Sequence, residues 1–114
     1  MESDRELLRR YAQNGDEAAF TEVVRRHTDL VYSAALRLAA GDAPLAQDIA
    51  QKVFATLAQK SAALAGRENL VGWLHTTTRY AASAAVRGER RWRTHDHDAG
   101  PTMPTAPAYP AMTW

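Results

Sequence analysis

The stretch NLVGWLHTTTRYAASAAVRGERRWR, residues 69–93, decides how the chain reads. It starts as an amphipathic helix and finishes as a run of arginines. Leu70, Trp73, Leu74, Thr77, Ala81 and Ala84 recur at helical spacing and predict a face turned to a core. Thr76, Arg79, Tyr80, Ser83, Arg87, Arg90 and Arg91 also step by three and four residues, so they share the opposite face. Between positions 67 and 93, six arginines oppose two glutamates, a net of +4. Residues 1–66 carry eight basic and nine acidic side chains, and the tail from Thr94 adds Asp96 and Asp98. The formal net charge is only +1, but the charge is sorted along the chain. One basic helical segment on a balanced remainder points to a polyanion held at one place.

Working back from this stretch, three more helices can be placed by their punctuation. A short polar loop, Gly66-Arg67-Glu68, precedes residue 69, and Asn69 is a plausible cap. The third helix is capped by Asp42, has Pro44 in its first turn and fades near Ala65-Gly66. Leu45, Ile49, Val53, Phe54 and Leu57 form its apolar stripe. The second is capped by Asp16 and runs to about Ala40, before Gly41. Phe20, Val23, Val24, Val31, Ala34, Ala35 and Leu38 follow its helical period. The first starts at Ser3, with Glu6 three residues on as a capping box, and ends near Asn14-Gly15. Leu7, Leu8 and Tyr11 are its stripe. No strand pattern and no repeat stands out. The expected fold is all-α: a compact bundle of four helices over residues 1–93. Residues 94–114 hold four of the five prolines and no apolar period. They are expected to be a disordered tail or the start of an interdomain linker.

Composition narrows the class. A chain of 114 residues suits one domain with a modest core. The apolar positions lean on alanine, which favours closely packed helices over a sheet sandwich. Without cysteine there is no disulfide or thiolate metal site. No run approaches the roughly 18 apolar residues of a membrane span, and MESDRELLRR lacks the apolar core of a signal peptide. The expectation is a soluble cytoplasmic protein that needs no membrane.

Residues 15–59, GDEAAFTEVVRRHTDLVYSAALRLAAGDAPLAQDIAQKVFATLAQ, and 70–91, LVGWLHTTTRYAASAAVRGERR, carry a family resemblance. In order and spacing, Phe20 to Arg93 resembles region 2 of bacterial sigma factors of the extracytoplasmic-function (ECF) type, within the sigma-70 family. The resemblance implies a helical domain that docks on the clamp helices of the β′ subunit of RNA polymerase. It also implies recognition and melting of the −10 promoter element, with non-template bases flipped into a pocket. The segment DIAQKVF matches the family's polymerase-binding segment. Asp48 and Gln51 stand where the family usually has an acidic residue and Gln, and with Gln47 and Lys52 beside them they are the expected docking residues. Lys52 stands where the family often has Glu, a reversed charge. The loop Gly66–Asn69 matches the base-capture loop, with Arg67 and Asn69 as DNA contacts. Thr76, Arg79, Tyr80, Ser83 and Arg87 match the helix that tracks the opened strand, and Arg90 and Arg91 extend its charge. An anti-sigma factor is a further partner that the resemblance allows. A whole sigma factor of this type also carries a C-terminal helix-turn-helix domain that reads the −35 element. Here the sequence stops after a Pro-rich stretch, so an excised or truncated domain is expected, one that selects promoters poorly by itself.

Blander readings compete at each position. Arginines beside Tyr80 and Trp92 suit single-stranded nucleic acid, since guanidinium groups hold phosphates and bases stack on rings. Cations are favoured at a helix C-terminus in any case. Trp73 sits on the apolar stripe and is expected in the core, which leaves Tyr80 as the stacking candidate. Gln47, Asp48, Gln51, Lys52 and Gln59 would form a plain polar helix face if no partner met them. His95, Asp96, His97 and Asp98 have metal-ligand chemistry but nothing to hold their geometry, so no metal and no cofactor is expected. His27 and His75 are expected at the surface or the edge of the core. No catalytic set is present, neither HExxH, a phosphate-cradling glycine loop nor a Ser-His-Asp arrangement. The expectation is a non-enzyme. The rival readings are a helical protein-interaction module and a regulatory sigma fragment that binds polymerase or an anti-sigma factor without initiating transcription.

Overall fold

The computed structural model describes residues 2–95, with side chains through residue 88. Five helices follow one another: α1 (Asp4–Asn14), α2 (Glu17–Leu38), α3 (Ala43–Gln59), α4 (Ser61–Leu64) and α5 (Leu70–His95). No strand occurs among the described residues. Each long helix begins where its cap predicts. The Glu6 N–H donates to Ser3 Oγ at 3.2 Å, and the Ala19 N–H to Asp16 Oδ1 at 3.2 Å. The Leu45 N–H donates to Asp42 Oδ1 at 3.1 Å, and the Gly72 N–H to Asn69 Oδ1 at 2.9 Å. Each cap satisfies an amide that the helix cannot.

Gly15 stops α1 in the left-handed region at φ 65°. At the α2–α3 corner the chain needs two such residues, Ala40 at φ 54° and Gly41 at φ 86°. A left-handed alanine places its Cβ against the following carbonyl, so this corner stores strain that a glycine would not.

Four helices were expected and five are found. The third was expected to run on to Ala65-Gly66, but α3 ends at Gln59. Lys60 leaves helical geometry at φ −103°, ψ 14°, and its N–H closes the last turn on the Thr56 carbonyl at 3.0 Å. After the break α4 packs against α1 and buries Ser61 and Leu64, 5% and 1% exposed. The alanine-rich sequence there is compatible with either course.

α2 lies at the centre and packs against α1, α3 and α5, while α1 also rests on α4. The core joins Leu7 and Leu8 of α1, Val23 and Val31 of α2, Ile49, Val53 and Leu57 of α3, and Trp73 and Leu74 of α5. Tyr11 and Phe20 pack with ring centroids 4.7 Å apart across the first corner. Asp4 fastens the start of α1 to α2: Arg26 Nη1 donates to Asp4 Oδ1 at 3.2 Å, and His27 Nε2 lies 2.8 Å from Asp4 Oδ2. His27 is thus at the edge of the core and His75 is exposed. Arg10 pairs with Glu2 and Asp16. Its guanidinium, then the Ala19 amide, hold the Asp16 carboxyl below its usual range. Arg25, then Arg26, lower Glu22 to about 2.

Candidate functional site

α5 is the element that positions the site. Its inner face is fixed by burial: Trp73, Leu74, Thr77 and Ala81 are buried and Leu70 is 7% exposed, as the periodicity predicts. Ala84 is only half-buried, whereas Thr78 and Ala82 join the buried set. The Thr78 hydroxyl donates to the Leu74 carbonyl at 2.7 Å, which allows it to be buried. With that face locked, the other side of the helix is turned out. Arg79, Tyr80, Ser83 and Arg87 are exposed and Thr76 is half-buried. Tyr80 is 46% exposed and Trp73 2%, so the two aromatic rings divide as their stripes predict. The backbone helix runs on through Arg90 and Arg91 to His95, but the side chains of Arg90, Arg91 and Trp92 lie outside the described residues. So do the tail from residue 96 and the candidate metal ligands at its start.

This face offers two phosphate-seeking guanidiniums, one exposed ring and one hydroxyl within just over two helical turns, roughly 12 Å along the axis. Such a strip combines electrostatic tracking of a strand with a surface on which a base can stack.

The loop before α5 forms one wall of a groove of about 270 Å³. Arg67, Glu68, Asn69, Leu70 and Val71 line one side, and the cap residue Ser3 with Asp4, Arg5 and Leu8 of α1 line the other. Arg5 Nε donates to the Ala65 carbonyl at 3.3 Å and ties α1 to this loop. Asn69 commits its Oδ1 to capping α5, so its amide NH₂ is the part left to meet a ligand. The α1 residues of this groove were missed by sequence reading. They are some sixty positions away, and no local pattern pairs them with the loop.

The outer face of α3 is separate. Gln47, Asp48, Gln51, Lys52 and Gln59 are all exposed. Asp48 and Lys52 stand one helical turn apart, with Gln47 and Gln51 beside them. Leu38 departs from expectation: it continues the apolar stripe of α2, yet it is 44% exposed. Among the described residues no cluster of three or more His, Asp or Glu is placed to hold a metal. No described helix is long and apolar enough to cross a membrane.

Comparison with known proteins bears on this arrangement. A search of curated proteins and a search of solved structures each gave no match. A family model, Sigma-70 region 2, matches residues 23–92. That span takes in most of α2, all of α3 and α4, the loop, and α5 through its described outer face. It covers well over half of the chain, and the family acts in polymerase binding and promoter recognition. With its helical bundle and its basic, aromatic helix face, the chain belongs to the sigma-70 region 2 family.

Proposed function

We propose that the chain acts as region 2 of an ECF-type sigma factor, docking on RNA polymerase and holding melted promoter DNA. Gln47, Asp48, Gln51 and Lys52 of α3, with part of α2, meet the β′ clamp helices. Polar side chains there set the register of a helix-against-helix contact. Arg79, Tyr80, Ser83 and Arg87, followed by Arg90 and Arg91, hold the non-template strand of the −10 element. Arg67 and Asn69, in the loop before α5, receive a flipped base. The work is binding, not catalysis: contacts that only an unpaired strand can make shift DNA toward the open state.

The observation that supports this reading most is the exposed Arg79–Tyr80–Ser83–Arg87 face, which lies inside the family-matched segment. A second reading, a regulatory fragment that occupies polymerase or an anti-sigma factor without initiating, draws on Lys52. Its exposed cation replaces an expected acid on the docking face. Titration against the isolated β′ clamp-helix fragment tests the docking, with tryptophan fluorescence as readout. Binding that Asp48→Ala weakens about tenfold, with helix content unchanged by circular dichroism, supports docking through α3. Absence of binding at micromolar concentrations refutes it.

A further inference from the structure

We infer that Leu38, at the end of α2, forms with α5 an apolar seat for one base of the strand that Arg87 and Ser83 hold; this rests on the proposed DNA-binding role. The stripe Val31, Ala35, Leu38 steps down α2 at helical spacing, and Val31 and Ala35 are fully buried. Leu38 holds the next position on that stripe and is nonetheless 44% exposed. It borders a groove of about 270 Å³ whose remaining walls are Ala82, Ser83, Val86 and Arg87. Ser83 and Arg87 belong to the outward face of α5, so the groove opens along the edge of the cationic strip.

The groove is amphipathic in a particular order. Leu38, Ala82 and Val86 give it apolar walls, and Ser83 and Arg87 add a hydroxyl and a guanidinium. An occupant that lays an apolar face against these walls and presents an anion to Arg87 within the same small unit fits this lining. A nucleotide of single-stranded DNA has that form, with a base beside a phosphate. The site is also continuous with the rest of the strip. Tyr80 and Arg87 are seven residues apart, roughly 10 Å along the helix, which a stacked strand spans in about three nucleotides at ~3.4 Å each. A base on Tyr80 and a base on Leu38 then belong to one bound strand.

An apolar seat differs from an ion contact in its salt response. Removing a phosphate contact lowers the salt dependence of binding, whereas removing a base contact lowers affinity at every salt concentration alike. The test uses the full 114-residue chain and a labelled DNA single strand of about 12 nucleotides, read by fluorescence anisotropy across a salt series. A matched abasic strand is the control. Leu38→Ala should weaken binding about fivefold with its salt slope unchanged, and the loss should disappear on the abasic strand. Because Leu38 is half-exposed, thermal melting by circular dichroism should stay close to that of the parent. Unchanged affinity of Leu38→Ala, or an equal loss on the abasic strand, overturns the seat while leaving the DNA-binding role intact. A change in sedimentation from dimer to monomer with DNA binding unchanged assigns Leu38 to a contact between copies and overturns it too. If the parent chain shows no salt-dependent affinity for the strand, the DNA-binding role itself fails and the seat falls with it.

Discussion

The outer faces of α3 and α5 are both polar, helical and exposed, yet they differ in charge and ring content. α3 presents amides with one charge of each sign, Asp48 and Lys52, a nearly neutral surface. α5 presents Arg79 and Arg87 with Tyr80 between them and no acid on the described part of the face. A neutral, amide-rich face recognises by register, through hydrogen bonds that fit one partner geometry. A cationic, aromatic face accepts any strand of the right charge and flexibility, and its affinity depends on counterions. The difference teaches that helical exposure alone says little about a site; the sign and spacing of the charges carry the information.

The comparison breaks entirely if the shared scaffold goes. Trp73 is buried on the inner face of α5, against a core to which α3 contributes Ile49, Val53 and Leu57. Trp73→Ala should cost about 3–5 kcal/mol, a large part of a small domain's stability. Thermal melting should show a large fall, with both faces losing their partners together. Retention of one binding activity would mean that the faces do not share a scaffold.

Joint replacement of Arg79→Ala and Arg87→Ala should sharpen the comparison. Two lost phosphate contacts should lower the salt slope for single-stranded DNA by about 1.4 and weaken binding by at least tenfold at low salt. Affinity for the clamp-helix fragment should not move. A parallel loss on that fragment would show that the faces overlap.

The smallest effect is expected at the α2–α3 corner. Ala40 is held at φ 54°, and Ala40→Gly should relieve strain at some cost in unfolded-chain entropy. The net gain is about 1 kcal/mol, read as a few degrees in melting temperature. Both binding activities should persist, since the change stabilises the frame and touches neither face.

Much of this frame was legible because its signals are local. Ser3, Asp16, Asp42 and Asn69 act within three residues of themselves, and Gly15 and Gly41 stop helices by their own backbone freedom. Trp73 and Tyr80 divide by periodicity alone. What escaped depends on contacts between distant segments. Nothing in the sequence around Lys60 forbids a continuing helix, yet the chain breaks there and Leu64 is buried. The periodicity of α2 places Leu38 inside, but periodicity does not record where neighbouring elements end. The groove beside the loop needs residues 3–5 and 67–71 together, a juxtaposition that only the packed bundle creates.

The packing of α1 has a consequence for where this unit begins. The family match starts at Val23, but Leu7, Leu8 and Ala19 are buried and lie before it. A segment cut at the boundary of similarity would expose the hydrophobic surface of α2 and α4 that these side chains seal. It would also leave Arg26 without its Asp4 partner. The packed core therefore extends beyond the residues that the family model matches.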